Sequence, residues 1–297
     1  MESSELDTHL RRIGADSETI DFCTALADHG LATLDLGEDA RALCDQAVAE
    51  TDPYFAQGHV GRVQDAWLRS KAVRRLATHP KVMAMLAAAY GRRPFAFQTL
   101  NFQRGTQQAV HSDTIHFHSA PERFMCGVWI ALEDIAPSAG PLEYVDASHK
   151  LPVLTMQGAG VNRPEPEPQD YVQHYLPALH GRLAASGLPH ATVLPRKGQA
   201  VVWAANLAHG GAPINDPAST RRSLVTHMYF QGCLYYTPMT SDPGSDRFSV
   251  RLPADVATGG WVWPRRNGRR ASVPPPALVE ALRRRVLRRP YVHHLSA

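Results

Sequence analysis

The stretch His111-Ser112-Asp113-Thr114-Ile115-His116-Phe117-His118 places an imidazole and a carboxylate two residues apart at its start. On a β-strand both side chains would leave the same face, because successive side chains alternate. A histidine and an acid presented in this way are two of the three protein ligands of a 2-His-1-carboxylate site for non-haem iron. The pair alone is weak evidence for a metal site, since the chain contains 15 histidines and such a pair can arise by chance. A third ligand has to come from elsewhere in the chain.

His209, in Ala-His-Gly-Gly, is the candidate for that third ligand. The glycines after it, Gly210 and Gly211, allow backbone or a ligand to approach the histidine closely. Together with His111 and Asp113, it would hold one face of an iron ion and leave the other positions to an organic co-substrate and O2. The two further histidines of the opening stretch are interpreted as surface residues or as supports of the ligands, because a mononuclear site needs only one more histidine.

Length and composition place the protein in an ordinary folded class. The chain has 297 residues, of which 44% are hydrophobic and 20% charged, and this suits a single domain. No apolar run approaches the roughly 18–20 residues of a membrane span, so no membrane partner is expected, and the polar start predicts a cytoplasmic protein. The four cysteines are scattered without a Cys-x-x-Cys pair, which indicates neither a disulfide framework nor a zinc–thiolate site.

Positive charge is concentrated near the end of the chain. The segment Arg265–Arg289 has nine arginines and one acid, Glu280. A nucleic-acid partner is one interpretation of this segment. Three apolar residues spaced four apart, beginning at Leu278, instead favour a basic helix over 277–289 that docks on the body and keeps its arginines in solvent. Because no aromatic side chain lies among the arginines to stack on bases, no nucleic-acid partner is expected.

The chain divides into a helical start and a β-rich remainder. Residues 1–94 are predicted to form a helical support with one early strand, Leu31–Leu36. The predicted helices are Thr19–His29, Asp39–Glu50 and two within Ala66–Tyr90, separated near His79-Pro80. The β-rich core spans 95–252. Its predicted strands are Phe95–Gln103, Phe124–Leu132, Leu142–Val145, Gln199–Trp203, Arg221–Phe230 and Phe248–Leu252.

Short strands with turn-rich links are typical of a sandwich, a jelly roll or a barrel rather than of a βαβ fold. The core is interrupted by residues 155–195, which contain a proline-rich loop and a predicted helix, Asp170–Ser186. Since the sequence on both sides predicts sheet, this segment is interpreted as an insertion within one domain, 1–297. Its length is typical of a lid.

Two polar features of the core indicate a binding site. In the first core strand, alternation puts Phe97, Thr99 and Asn101 on one face, which is either a solvent-exposed edge or the wall of a polar pocket. Arg221 begins the last long strand, where a guanidinium is costly to bury unless an anion pairs with it. A paired surface arginine is the alternative, and the adjacent Arg222 leaves the register open by one residue.

The order of these motifs resembles the phytanoyl-CoA dioxygenase family of Fe(II)/2-oxoglutarate oxygenases, which includes ectoine hydroxylase. The resemblance runs through strand, His-x-Asp, strand, Gly-Pro-Leu, Ser-His-Lys, Lys-Gly, strand, His-Gly-Gly and Arg, over roughly Leu31 to Phe230. It implies an α+β fold with a mainly β core, the double-stranded β-helix or jelly roll, with flanking helices. The sequence departs from the family at Asp146-Ala147, where Pro-Gly is common, and at Gln199, where an acid is common. Neither departure falls on a ligand position.

The resemblance also implies roles for individual residues. The iron ligands, which are also the catalytic residues, would be His111, Asp113 and His209. The contacts to 2-oxoglutarate would be Arg221, which pairs with the distal carboxylate, Asn101 and Gln108. The residues that line the substrate pocket would be Thr114, Phe117 and Trp203.

The implied function is that of an Fe(II)- and 2-oxoglutarate-dependent dioxygenase, which uses O2 and releases succinate and CO2. Hydroxylation of an unactivated C–H in a small biosynthetic metabolite is the expected outcome, and desaturation, epimerisation or ring formation would use the same residues. Halogenation is disfavoured, because it needs a small residue in place of the carboxylate ligand and Asp113 is present. A non-catalytic jelly-roll protein that binds a small ligand or another metal is the alternative. A homodimer is a candidate assembly.

Overall fold

The structure of the protein is a computed structural model that describes residues 3–58, 60–163, 166–275, 277–279, 281–282 and 290–294. Its helices include α1 (Ser3–Arg12), α2 (Ser17–His29), α3 (Glu38–Phe55), α4 (Lys71–Ala77), α5 (Pro80–Tyr90), α6 (Pro168–Asp170) and α7 (Leu176–Ser186). Its first strands are β1 (Leu31–Asp35), β2 (Val60–Gln64), β3 (Pro94–Phe102), β4 (His118–Ala120), β5 (Met125–Ala131), β6 (Leu142–Val145) and β7 (His190–Val193). The later strands are β8 (Gln199–Ala204), β9 (His209–Gly211), β10 (Ser223–Phe230), β11 (Leu234–Tyr236), β12 (Arg265–Arg266), β13 (Arg269–Arg270) and β14 (Tyr291–His294).

Local sequence explains where the second helix begins and ends. The Asp16 carboxylate caps α2 by accepting a hydrogen bond from the backbone N–H of Thr19 at 2.8 Å. Gly30 ends α2 with a positive φ of 75°, and a Cβ at this position would overlap the His149 ring, so glycine is the residue that fits. The predicted helices and β1 are present, although α3 continues to Phe55.

The strands form one large antiparallel sheet and several small ones. In the described part of the chain, the large sheet has seven strands in the order β1-β8-β5-β10-β3-β2-β14, and a second sheet has three in the order β7-β6-β9. The long strand β10 pairs with β3 on one side and with β5 on the other. Neighbouring strands are thus distant in sequence, as a jelly roll requires, and the predicted α+β fold with a mainly β core is confirmed.

The two faces of the large sheet have different neighbours. Leu224 of β10 belongs to one face and packs with helix residues such as Leu76 in the largest hydrophobic cluster. Val225 lies on the opposite face, in a cluster with Trp203 and with Leu142 of the three-stranded sheet. We call the face that carries Val225 the inner face, because it is enclosed between the two sheets, and the face that carries Leu224 the helix face.

One predicted strand is wrong, and several short strands are not predicted by the sequence. Phe248–Leu252 forms no strand, since within it Val250 makes only an isolated bridge, with Tyr236. The strands that the sequence does not predict include β2, β4, β7, β9, β11 and β14. All six have three to five residues, which is too short for alternation to identify them, and they depend on partners elsewhere in the chain.

The insertion predicted at 155–195 is partly built into the fold. Its helical part includes α6, a π-helical turn at Tyr171–Tyr175, and α7. Leu179 of α7 is buried in a cluster with Ile115. The residues His190–Val193 form β7 and pair with β6, so the predicted lid boundary is wrong at its C-terminal end. Closure of the remainder over a site stays a prediction.

The basic helix predicted over 277–289 falls only partly within the described residues. Residues 277–279 and 281–282 are helical. Ala281 is buried in a small apolar cluster, whereas Leu282 is 49% exposed. The arginines of this predicted helix lie outside the described residues. No helix in the described ranges is both long and apolar enough to cross a membrane.

Candidate metal centre

The two histidines of the predicted site are held together by backbone hydrogen bonds. His111 and His209 form an isolated antiparallel bridge, in which each backbone N–H donates to the carbonyl oxygen of the other residue at 2.9 Å. Their ring centroids lie 4.5 Å apart. Because β9 begins at His209 and pairs with β6, the three-stranded sheet positions one histidine and the bridge positions the other.

The acid reaches the same place from a turn rather than from a strand. Ser112 is extended, with φ −115° and ψ 132°, and Asp113–Ile115 forms a 3-10 helical turn. The strand predicted for His-x-Asp is therefore wrong, since His111 makes only an isolated bridge and the turn begins at Asp113. The extended residue still brings the side chains of His111 and Asp113 to a common side, with Nε2 of His111 3.8 Å from Oδ1 of Asp113.

In both histidines, Nδ1 is engaged by a backbone carbonyl and Nε2 faces the acid. Nδ1 of His111 lies 3.0 Å from the carbonyl oxygen of Ala109, and Nδ1 of His209 lies 2.9 Å from that of Leu207. A carbonyl only accepts, so each Nδ1 carries the proton and each Nε2 keeps its lone pair for a metal. Nε2 of His209 is 3.8 Å from Oδ2 of Asp113, and the ligand atoms of the three residues lie within 4.8 Å of one another.

Burial determines the charges of this site. His111, Asp113 and His209 are 7%, 4% and 5% exposed. Burial first, and the neighbouring His209 second, lower the pKa of His111 to about 3. Burial alone would raise the pKa of Asp113, but the surrounding histidines and the Trp203 indole stabilise its carboxylate and lower the pKa to about 2. A neutral His111 beside an ionised Asp113 is the protonation state that metal binding requires.

The first glycine after His209 is required by the backbone that packs on it. A Cβ on Gly210 would lie 2.8 Å from the carbonyl oxygen of Gln108. The close approach predicted for His-Gly-Gly is therefore confirmed, and backbone rather than a ligand makes it. The side chain of Gln108 also lies at the site, with its Nε2 atom 3.3 Å from Nε2 of His111.

Trp203 supports the acid with a hydrogen bond. It is 2% exposed, its indole N–H donates to Oδ2 of Asp113 at 2.8 Å, and its ring centroid lies 4.6 Å from that of His209. Gly127 on the neighbouring strand β5 faces the indole, where any Cβ would overlap the ring. The indole therefore lies under the carboxylate and is enclosed there, and the predicted contact of Trp203 with substrate stays a prediction.

We expect Trp203→Phe to weaken iron binding while the fold persists. Phenylalanine keeps a ring against His209 but removes the donor to Asp113. Loss of such a supporting hydrogen bond typically lowers metal affinity about 10- to 100-fold. The measurement is an anaerobic titration with Fe(II), with the unfolding temperature recorded in parallel.

Val201→Ala is the matched control for this substitution. Val201 is fully buried in the same inner cluster as Trp203, and its apolar side chain offers the carboxylate no hydrogen bond. The unfolding temperature of this variant should fall, whereas its iron affinity should stay unchanged. Equal iron affinity in Trp203→Phe and wild type would show that the indole does not hold the ligand.

A third histidine, which the sequence interpretation does not single out, lies against the acid. Nε2 of His227 is 3.7 Å from Oδ2 of Asp113, and its Nδ1 atom is 2.8 Å from Oε1 of Gln98. Burial is the main cause that lowers the pKa of His227 to about 4. His227 follows Arg221 by an even number of residues along the predicted strand, so alternation from Arg221 would have placed it on the same face.

The strand register places Asn101 away from this site. Asn101 pairs with Leu224 of β10, so its side chain lies on the helix face. A bulge next to His227 breaks the alternation of β3, and the side chains that contact His227 are Phe97 and Gln98. The predicted contact between Asn101 and 2-oxoglutarate is therefore wrong, and Gln98 supplies the amide on the inner face.

Register also separates the two adjacent arginines. Arg221 is 5% exposed, and its guanidinium lies over the ring of Trp129, 5.5 Å from the centroid, on the inner face. Burial lowers the pKa of Arg221 to about 10, so it remains a cation at neutral pH. No carboxylate pairs with it among the residues that the structure describes. Arg222 instead forms ion pairs with Asp52 and Glu133.

The other two predicted substrate contacts lie close to the acid. Thr114, the residue after Asp113, is 1% exposed, and its hydroxyl has no hydrogen-bond partner within the described ranges. Phe117 is half-buried, and its ring centroid lies 4.9 Å from that of His227. Both residues stay candidates for substrate contact.

A buried His-Asp-His set on the enclosed side of a jelly roll, with a buried arginine on the same side, defines the class of non-haem iron oxygenases that use 2-oxoglutarate. The chain belongs to the phytanoyl-CoA dioxygenase (PhyH) family, whose model matches residues 34–223. It is therefore an oxidoreductase with Fe(II) and 2-oxoglutarate as cofactor and co-substrate.

Solved structures share this fold. The epimerase SnoN from nogalamycin biosynthesis superposes with a TM-score of 0.57 at 20% identity, over 86% of this chain and 98% of that one. The carbocyclase SnoK from the same biosynthesis gives 0.59 at 15% identity, over 82% and 96%. EctD from S. alaskensis, solved with bound Fe, gives 0.52 at 15% identity, over 70% and 75%. The predicted jelly roll and the similarity to ectoine hydroxylase are confirmed by these neighbours. No curated protein matches the chain.

Proposed function

We propose that the protein hydroxylates an unactivated C–H bond of a small biosynthetic metabolite. The observation that carries this proposal is the set of His111, Asp113 and His209 with a buried cation, Arg221, on the same inner face. Three protein ligands leave the remaining positions of an iron ion to 2-oxoglutarate and O2. Since Asp113 occupies the position that a halide would need, oxygen transfer is favoured over halogenation.

The start of β10 offers a complementary partner for the distal carboxylate of 2-oxoglutarate. Nη1 of Arg221 donates to the carbonyl oxygen of Gly140 at 2.8 Å, whereas its Nε atom is buried without a partner in the described part of the chain. The Oγ atom of Ser223, on the same face, is also buried without a hydrogen-bond partner in the described ranges. A buried donor without a partner lowers the stability of the folded state, and a ligand with acceptor oxygens would remove this cost by accepting its hydrogen bond. We assign the distal carboxylate to Arg221 and Ser223, and Gln108 stays a candidate contact for the end of 2-oxoglutarate nearest the metal.

The residues of the chain hold, orient and enclose the reacting groups. Iron and 2-oxoglutarate, when bound, supply the oxidation, in which O2 and 2-oxoglutarate are converted to succinate and CO2 and one oxygen atom enters the C–H bond. His111 and His209 would hold the metal through Nε2, because a backbone carbonyl fixes each Nδ1. Trp203 holds the carboxylate of Asp113 in place. The apolar side chains around Trp129 exclude water from the inner face.

Epimerisation and ring formation are alternative outcomes at the same residues. The structures of SnoN and SnoK are described as those of an epimerase and a carbocyclase, and both share this fold, so the product has to distinguish the reactions. A non-catalytic jelly-roll protein that binds a small ligand is the remaining alternative. The cytoplasmic location and the homodimer stay predictions.

Succinate formation under ¹⁸O2 tests the proposal. Protein, Fe(II) and 2-oxoglutarate are mixed with pools of small metabolites, and succinate and new products are measured by mass spectrometry. We expect one pool to raise succinate formation and to yield a product with one ¹⁸O atom added. A product that has lost two hydrogens would indicate desaturation or ring formation, and a product of unchanged mass would indicate epimerisation. No binding of 2-oxoglutarate and no succinate with any pool would contradict an oxygenase.

A further inference from the structure

The motif Ser148-His149-Lys150, which lies between β6 and the insertion, is not part of the iron-ligand set. It forms a 3-10 turn, and the side chains of Ser148 and His149 are buried. Buried polar side chains are almost always hydrogen-bonded. Ser148 finds its partner in residues 205–208, which we call the connecting turn because they join β8 to His209 at the start of β9.

Three hydrogen bonds between side chains and backbone join the motif to the connecting turn. Oγ of Ser148 accepts from the backbone N–H of Ala208, the residue before the ligand of β9, at 2.9 Å. Nδ2 of Asn206 donates to the carbonyl oxygen of Leu151 at 2.8 Å and to that of His149 at 3.3 Å. The position of the connecting turn therefore depends on two side chains, those of Ser148 and Asn206.

The connecting turn also holds the segment that carries the other two ligands. Ser112 stands between His111 and Asp113, and its Oγ donates to the carbonyl oxygen of Ala205 at 3.1 Å. The backbone N–H of Thr114 donates to the same carbonyl oxygen at 3.2 Å. Because these two bonds lie on either side of Asp113, they fix the short turn that presents its carboxylate.

The orientation of His209 depends on the connecting turn as well. Its Nδ1 atom lies 2.9 Å from the carbonyl oxygen of Leu207, and the backbone N–H of Leu207 donates to the carbonyl oxygen of Ala204 at 2.8 Å. A metal site needs its ligands held within about 0.5 Å of their working geometry. A displaced connecting turn would therefore move Nε2 of His209 away from Asp113.

The motif is anchored to the helical part of the fold on its other side. Nε2 of His149 lies 3.0 Å from the carbonyl oxygen of Ala27 in α2, and its ring fills the space beside Gly30. Ala147, just before the motif, has a positive φ of 57°, and its N–H donates to the carbonyl oxygen of His29 at 3.0 Å. An alanine keeps this conformation only where its surroundings fix it, so the motif is a rigid link between α2 and the connecting turn.

We propose that Ser148 and Asn206 are positioning residues of the iron site. Their side chains fix the connecting turn, and the connecting turn fixes His209 and the segment that carries Asp113. Both act through the backbone, whereas Trp203 donates directly to a ligand. This inference rests on the proposed function, because it concerns the ligands of the same site.

Binding of Co(II) tests this proposal without turnover. Co(II) accepts the same imidazole and carboxylate ligands as Fe(II), and its visible absorption depends on the number and arrangement of its ligands. Metal-free protein is titrated with Co(II) under anaerobic conditions. We expect Ser148→Ala and Asn206→Leu each to weaken Co(II) binding about 10- to 100-fold, as loss of ligand-orienting residues typically does, and to change the spectrum of bound Co(II). Ser148→Thr, which keeps the acceptor oxygen, should recover most of the affinity and the wild-type spectrum.

Thr51→Val is the matched control. Thr51 is buried in α3, away from the connecting turn, and its hydroxyl donates to the carbonyl oxygen of Ala47 at 2.7 Å. Valine removes a buried hydrogen bond between a side chain and the backbone, as the substitutions at the motif and the connecting turn do. The unfolding temperature should fall, whereas the affinity for Co(II) and the spectrum should stay at wild type.

Wild-type affinity and spectrum in folded Ser148→Ala and Asn206→Leu would overturn the inference. If these variants do not fold, Asn206→Asp, which keeps the shape but loses both donors, decides by the same two readouts. Co(II) binding that is unchanged in His209→Ala would overturn the iron site together with this inference. No succinate with any metabolite pool, with Co(II) binding that depends on Ser148 and Asn206, would contradict the proposed function alone.

Discussion

Alanine in place of His209 is expected to reduce the formation of succinate to the level of buffer without enzyme. The imidazole supplies one of three ligand atoms that lie within 4.8 Å of one another, and two ligands cannot hold the metal and 2-oxoglutarate in a fixed orientation. His111→Ala and Asp113→Ala should have the same effect. The measurements are succinate formation by mass spectrometry and the iron content of the anaerobically loaded protein. Far-ultraviolet circular dichroism checks that each variant is folded.

His190→Ala is the matched control for the histidine variants. His190 lies on β7 of the same small sheet as His209 but is exposed to solvent. Its replacement should leave iron content and succinate formation at the wild-type level. If His209→Ala, His111→Ala or Asp113→Ala keeps near-wild-type turnover, that residue is not a ligand, and His227 becomes the candidate for its place.

Arg221→Ala is expected to raise the KM for 2-oxoglutarate by about 10- to 100-fold, since a hydrogen bond to a charged group contributes roughly 1.5–3 kcal/mol. Iron affinity should not change, because Arg221 is not a ligand. Arg221→Lys should recover part of the loss, since lysine keeps the charge but not the planar fork. Initial rates of succinate formation at varied 2-oxoglutarate provide the measurement.

Arg222→Ala is the matched control for Arg221→Ala, because it removes the same charge at a position that faces away from the site. Arg222 is paired with Asp52 and Glu133 on the side away from Trp129, and ion pairs that are partly exposed contribute little. A small loss of stability with an unchanged KM is therefore expected. If Arg222→Ala raises the KM and Arg221→Ala does not, the assignment of the distal carboxylate is off by one residue.

The metal ligands could be predicted because each is identified by residues next to it in the sequence. The stretch His111-Ser112-Asp113 needs only one extended residue to bring an imidazole and a carboxylate to a common side, and this holds although Asp113 opens a 3-10 turn instead of continuing a strand. His209 is identified by the glycine after it, which the packed backbone of Gln108 requires. The ends of α2 could be predicted for the same reason, since a capping side chain and a glycine act on adjacent residues.

The positions of the residues around the metal ligands could not be predicted from the sequence. The position of Asn101 depends on the pairing of β3 with β10, and a bulge at Phe97, beside His227, places Phe97 on the face opposite to that of Asn101. The role of Trp203 depends on its distance to Asp113 across the fold. Arg221 and Arg222 have identical side chains. Only the register of β10 decides that Arg221 extends to the inner face and Arg222 to the opposite side.

The crystallographic position of iron in anaerobically prepared protein tests the central claim most directly. An anomalous difference map recorded at the iron absorption edge should show one strong peak, bounded by Nε2 of His111, Nε2 of His209 and the carboxylate of Asp113. With 2-oxoglutarate added, its distal carboxylate should contact Arg221. A peak bounded by other residues, or no peak at this set in protein that contains one iron per chain, would contradict the account.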